Sequence, residues 1–182
     1  MSNLPFDPRK LPEADFRVPD IVGCVAGWRA WGVDKNPPLY GVAPKLRSVT
    51  YGAYYWAPRR VAEAECPRCS ESDGPGVPGE SCSCGFYSAK TLEHLLSMSY
   101  HMYDADASGC FHVVGQVANW GKCVEGTQGW RAQFSYPVRL YVPFEAWRLC
   151  KPLTRAYGIP TVLKNTLRRE HEDLKDLLKG VD

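Results

Sequence analysis

The sequence predicts an α+β fold: a mainly antiparallel, twisted sheet, barrel-like in part, with a zinc-binding loop, one helix after that loop and a C-terminal helical extension. Three observations point there. Short runs of strand-forming residues alternate with breaks supplied by 16 Gly and 15 Pro. Four of the eight cysteines fall within residues 66–84, where Val77 is the one apolar residue besides the cysteines. Leucines at helical spacing follow Ser88 and Pro160.

Each element follows in order. Residues 1–20 form a Pro-punctuated, extended arm, because Pro5, Pro8, Pro12 and Pro19 interrupt regular structure. Residues 21–143 make the β-rich core domain. Its first strands lie in Ile21–Val33, Leu39–Val42 and Leu46–Trp56, separated by Pro37, Pro38 and Pro44. The cysteine loop occupies 66–84. A helix then starts at Ser88 as N-cap, carries Leu92, Leu95, Leu96 and Met98, and fades near Met102. A hairpin or meander follows, FHVVGQVANW and WRAQFSYPVRLYV, around the Glu125–Gly129 turn. The last segment, 144–182, is helical: a short helix broken or kinked at Pro152, then an amphipathic helix over 161–182 ended by Gly180. Gly27-Trp28-Arg29-Ala30 recurs as Gly129-Trp130-Arg131-Ala132, too far apart for a solenoid repeat and without matching flanks.

Composition limits the class. A chain of 182 residues is one domain and buries roughly two thirds of its unfolded surface, so the main sheet needs no staple. With 45% hydrophobic and 12% aromatic residues it is not a disordered chain. Lys and Arg total 22 against 20 acids, so net charge gives no support for nucleic acid or an anionic membrane. No signal peptide, membrane span or lipidation motif is visible, which predicts a soluble, cytoplasmic protein. In that reducing compartment, close cysteines read as metal ligands before disulfides.

Cys66-x2-Cys69 is followed after twelve residues by Cys82-x-Cys84. Two close pairs on a Gly/Pro-rich loop supply the four tetrahedral thiolate vertices of one structural Zn2+. Gly85 relaxes the backbone where it bends round the metal. Free thiols, disulfides, a redox pair and an iron–sulfur cluster are the competing readings. The zinc-deaminase signature fails, since no His precedes Cys66. Cys24, Cys110, Cys123 and Cys150 are scattered and read as small buried hydrophobes; a second site at Cys110, His112 and Cys123 is the minor alternative. His94 and His101 share a helix face near Asp104 and Asp106, and read as solvent-facing or capping groups. No hydrolase, Walker, zincin or dinucleotide motif is present, which disfavours an enzyme.

Several ordered strings carry a resemblance: Gly27-Trp28-Arg29-Ala30-Trp31, Trp56-x-Pro58, Cys82-x-Cys84-Gly85-Phe86-Tyr87, Val114-Gly115-x-Val117, and Gly129-Trp130-Arg131-Ala132 with Tyr136-Pro137. Over about residues 24–160 the chain resembles a group of uncharacterised proteins from actinobacteria and their bacteriophages. The resemblance implies a viral or actinobacterial intracellular setting and carries no activity. Its pattern includes Cys66, Cys82, Cys84 and Gly85, so Cys69 rests on its spacing alone.

The leading functional expectation is a non-enzymatic, zinc-stabilised binding protein, a bacteriophage or accessory factor acting on a host protein or assembly. Its candidate partner surface is the stripe Leu163, Leu167, Leu174 and Leu178, which could equally pack on its own domain. The first alternative is a nucleic-acid-binding zinc protein using the acid-free segment 45–60, with Lys45, Arg47, Arg59 and Arg60 flanking Tyr54 and Trp56. Against it stands a core strand whose arginines snorkel at its ends. A thiol or metal-dependent enzyme is the second alternative.

Overall fold

Among the described residues eight strands join into one sheet, antiparallel except at a single pair. The computed structural model describes residues 23–35, 43–50, 54–70, 76–79, 82–98 and 109–172. The expected N-terminal arm, Leu39–Val42, His101, Asp104, Asp106, Leu174 and Leu178 lie outside the described residues.

The strands are β1 (Val25–Asp34), β2 (Leu46–Ser48), β3 (Tyr55–Trp56), β4 (Ala62–Glu63), β5 (Phe86–Ala89), β6 (Cys110–Glu125), β7 (Gly129–Val142) and β8 (Thr161–Leu163). The path runs β3-β2-β1-β5-β7-β4. β6 pairs with both β1 and β7, so β1, β5, β7 and β6 close into a ring of four strands. β8 lies parallel to β7. The α+β class and the antiparallel sheet are as the sequence predicts.

β6 and β7 form the predicted hairpin, long enough to need two irregularities. Between Gln116 and Val117 the register skips, and Pro137 sits there, where a missing N–H costs no ladder bond. Between Trp120 and Cys123 the extra residue is accommodated by Gly121 at φ +73°; a Cβ there would lie 2.6 Å from the Phe134 ring.

β1 is buried on both faces, which explains its almost unbroken apolar run. Trp28 and Ala30 face a cluster with Val114, Tyr141 and Leu167; Trp31 and Val33 face a larger one with Leu46, Trp56, Val113, Leu140 and Leu153. A buried polar trio links β5, β6 and β7. Asn119 Nδ2 donates to Ser88 Oγ at 2.9 Å, and Ser135 Oγ donates to Asn119 Oδ1 at 2.7 Å, all three being buried.

Three helical expectations are corrected. The helix after the cysteine loop, α1, spans Leu92–Ser97, and its N-cap is Thr91, whose Oγ1 accepts from the His94 N–H. Ser88 is instead a buried residue of β5, because pairing with β7 continues through Ala89. Pro152 breaks nothing: a 3-10 helix, Phe144–Leu149, runs directly into α2, Cys150–Tyr157, and Pro152 is the third residue of α2. At that position the N–H has no intrahelical partner to lose. Finally, 161–163 is strand β8, not helix, and α3 spans only Lys164–Glu170 in the described residues. Among the described residues no helix is long and apolar enough to cross a membrane.

Candidate metal centre

The four clustered cysteines meet. The Sγ atoms of Cys66, Cys69, Cys82 and Cys84 all lie within 4.8 Å of one another. Cys66–Cys82 are 3.8 Å apart and Cys69–Cys84 3.7 Å. Four sulfurs at about 2.3 Å from a central ion form a tetrahedron with edges of about 3.8 Å, so the set fits a tetrahedral thiolate-bound metal ion. Among the described residues this is the only group of three or more His, Cys, Asp or Glu side chains placed to hold one.

Two turns build it. The Cys66 carbonyl accepts from the N–H groups of Cys69 and Ser70, both at 3.0 Å, which folds the first pair around a tight corner. The Cys82 N–H donates to the Gly79 carbonyl at 3.2 Å, while the Gly79 N–H donates to Cys84 Sγ at 3.4 Å. The second bond is of the outer-shell kind that orients a thiolate toward its ion. Gly85 is required for two reasons: its φ is +109°, and a Cβ would lie 3.0 Å from Pro78 Cβ. Val77 is buried, as are Pro78 and Gly79, so the loop presses its one apolar corner onto the sheet.

The thiols differ in protonation. Burial, reinforced by hydrogen bonding from Cys66, pushes the Cys69 thiol up to about 12. The Cys84 backbone N–H, then its side chain, hold the Cys82 thiol down to about 7. A cation among them would favour the thiolate form throughout and displace protons.

Arg131 fastens this loop to the sheet, and sequence reasoning did not single it out. Its Nη1 donates to the carbonyls of Gly79 (3.2 Å) and Cys84 (3.1 Å), and to that of Cys82. Its guanidinium also lies 6.0 Å from the centre of the Tyr87 ring, whose hydroxyl donates to the Ser83 carbonyl at 2.8 Å. The signal was in the recurrent Gly-Trp-Arg-Ala. The two copies lie on β1 and β7 and flank β5, the strand that leaves the metal loop. Each glycine abuts Ser88: a Cβ on Gly27 would sit 2.3 Å from Ser88 Oγ, and one on Gly129 would sit 2.3 Å from Ser88 O. Each arginine reaches the Tyr87 region, Arg29 through Nη1 to the Tyr87 carbonyl and Arg131 as its cross-strand partner. The repeat is therefore a pair of matching clasps on one short strand.

Among the described residues the scattered cysteines join no second centre. Cys110 is buried; its Sγ donates to Asp34 Oδ1 at 3.1 Å and accepts from Arg47 Nη2 at 2.7 Å. Burial, then the Asp34 bond, pushes its thiol up to about 11. Cys24 and Cys150 pack half-buried against the larger apolar cluster.

The proposed nucleic-acid set is split by the fold. Trp56 is 1% exposed and packs on Trp31 and Phe86, so its ring offers no face for stacking. Arg47 is turned toward Cys110. Tyr54 leans its ring on Phe86. Lys45, Arg59 and Arg60 are exposed. Of the leucine stripe, Leu167 is fully buried beside Trp28 and Tyr141, and Leu163 packs half-buried on the larger cluster, so this part takes the own-domain alternative that the sequence left open.

No protein-family model matches this chain, and no curated protein or solved structure matches it.

Proposed function

We propose that the chain is a non-enzymatic binding protein whose loop 66–84 is held by one structural zinc ion. One observation carries this: two turns place four thiols at tetrahedral spacing, and four cysteines fill every position of such an ion. A site closed in this way leaves no position for a water or substrate, which suits a staple and not a catalyst. Soft thiolates in a tetrahedron select zinc, or iron in the corresponding iron–sulfur chemistry, over calcium or magnesium. The loop's lack of a core supplies the motive. A structural zinc is worth on the order of 10 kcal/mol in zinc-finger peptides, far more than burial of Val77 alone.

The setting suggested by the motif resemblance, a phage or accessory factor engaging a host component, is kept as part of this reading. The leucine stripe gives it little support, because Leu167 is buried in its own domain. Metal analysis of the purified full chain tests the staple. One colourless zinc per chain is expected, lost in Cys82→Ser or Cys84→Ser, with a lowered melting temperature and new protease cleavage within 66–84. A stably folded chain without metal, or one whose metal survives both substitutions, would overturn it.

A further inference from the structure

The near-neutral charge of the whole chain conceals a strongly basic surface that the fold assembles from two distant segments. Residues 45–60 and 143–158 together hold seven basic residues and one acid, Glu145, against 22 and 20 in the chain. A buried pair of tyrosines brings them together. The Leu46 N–H donates to Tyr157 Oη at 2.8 Å, and Tyr157 Oη donates to the Trp56 carbonyl at 2.7 Å. Tyr136 Oη donates to the Tyr157 carbonyl at 2.8 Å and accepts from the Arg59 N–H at 3.1 Å. Arg59 Nη2 then reaches the Arg155 carbonyl at 3.1 Å, at the end of α2. Lys45, Arg59 and Arg60 are thereby set beside the C-terminal end of α2, and all three are exposed.

The helical run itself has one buried and one exposed face. Ala146, Leu153 and Tyr157 are buried. Phe144, Trp147, Arg148, Lys151 and Arg155 are exposed; Phe144, Trp147, Lys151 and Arg155 follow one another at spacings of three, four and four, as a single stripe requires, and Arg148 borders it beside Trp147. In a 3-10 helix residues three apart eclipse, so Phe144 and Trp147 present their rings side by side. They are the most exposed large hydrophobics described, at 72% and 55%. The Arg148 guanidinium lies 5.4 Å from the Trp147 ring centre. From ring to last cation the stripe is roughly 18 Å long.

We propose that this stripe, joined by Lys45, Arg59 and Arg60, binds single-stranded nucleic acid. Unpaired bases stack on Phe144 and Trp147, and the phosphates track the cations along α2. Exposed rings at one end of a run of positive charge match a chain that offers base faces and phosphates in succession. A protein hot spot has a different plan, an apolar centre ringed by polar groups. Duplex interiors are no substitute, since stacked base pairs hide their faces. The inference rests on the binding-protein reading and names its partner. It also moves the nucleic-acid surface away from Trp56 and Arg47, which are engaged elsewhere.

The test uses the full, zinc-loaded chain and fluorescein-labelled 20-nucleotide oligothymidylate and oligouridylate, followed by anisotropy. Binding is expected at 50 mM salt, weakening at 200 mM. Trp147→Ala, at an exposed position, should weaken it about tenfold with little change in salt dependence. Arg148→Ala/Lys151→Ala/Arg155→Ala should reduce the slope of log K against log salt by about 2, from roughly 0.7 per lost phosphate contact. Lys90→Ala, on the Glu125 side of the molecule, should change neither. The inference is overturned by no binding at 50 mM, by binding that both stripe variants leave intact, by equal affinity for duplex DNA or polyglutamate, or by binding confined to phosphatidylserine vesicles. Metal content and melting temperature are measured on the same samples. A folded, zinc-loaded chain that ignores oligonucleotides thus sinks the partner and leaves the staple standing.

Discussion

Replacing Arg131 with Met removes the clasp between the metal loop and β7 while keeping most of the packing stem. One nitrogen, Nη1, faces three carbonyls, those of Gly79, Cys82 and Cys84. It has two hydrogens, so two good bonds at a time is the ceiling. Charged hydrogen bonds contribute about 1.5–3 kcal/mol each. Arg131 is only half-buried, so water can reach the freed carbonyls, and about 2 kcal/mol in total is the reasonable loss. Because the carbonyls belong to the residues that position Cys82 and Cys84, that loss appears as weaker metal binding by about 30-fold, within the range of outer-shell substitutions. The melting temperature of the loaded protein should fall by about 4–8 °C. A competition titration with a chromophoric zinc chelator reads the first quantity and a thermal melt the second. Arg131→Lys should recover less than half, since the Lys ammonium ends one bond short of Nη1 and gives up the planar guanidinium over the Tyr87 ring. Zinc affinity unchanged within twofold in Arg131→Met would refute the clasp.

Three further outcomes follow from particular contacts. Gly27→Ala and Gly129→Ala should each destabilise by about 3 kcal/mol in denaturant melts, but Ser88→Gly should rescue only the first. Gly27 meets the Ser88 side chain, whereas Gly129 meets its backbone carbonyl, so equal rescue of both would be inconsistent with the placement of β5. Asn119→Leu should cost about 2–4 kcal/mol, because it strands two buried hydroxyls, Ser88 and Ser135; a neutral result would contradict the buried polar trio. Stability should also decline from about pH 9 to about pH 11. The Cys110 thiol ionises near 9.0 when unfolded but is raised to about 11 by burial in the fold, so over that window the unfolded chain is the one that gains by losing a proton. Cys110→Ala should flatten this decline, and an identical pH profile in that variant would rule out the assignment.

Much of the fold can be read from the sequence because its signals are local. The β6–β7 hairpin follows from alternating strand formers around a Gly-containing turn, and the cysteine loop from its spacing and its lack of apolar residues. What resists reading depends on pairing between distant segments. Ser88 resembles an N-cap, yet β7 claims it as a strand residue, and Thr91 takes the cap. Thr161–Leu163 resembles the start of a leucine helix until β7 offers it a parallel edge. Whether Trp56 and Leu167 enter the core or face a partner stays open when only their neighbours in sequence are considered; the sheet buries both. At the candidate metal centre the four clustered cysteines were legible and Arg131 was not, although the repeated Gly-Trp-Arg-Ala marked it. Its meaning needs β5 between the two copies, and no single-strand pattern contains that.

X-ray absorption at the metal edge of the purified full chain tests the four-cysteine staple most directly. Four sulfur neighbours at about 2.3 Å from a single zinc are predicted. Fewer than four sulfurs, nitrogen or oxygen in the first coordination sphere, or a folded chain with no bound metal would contradict it.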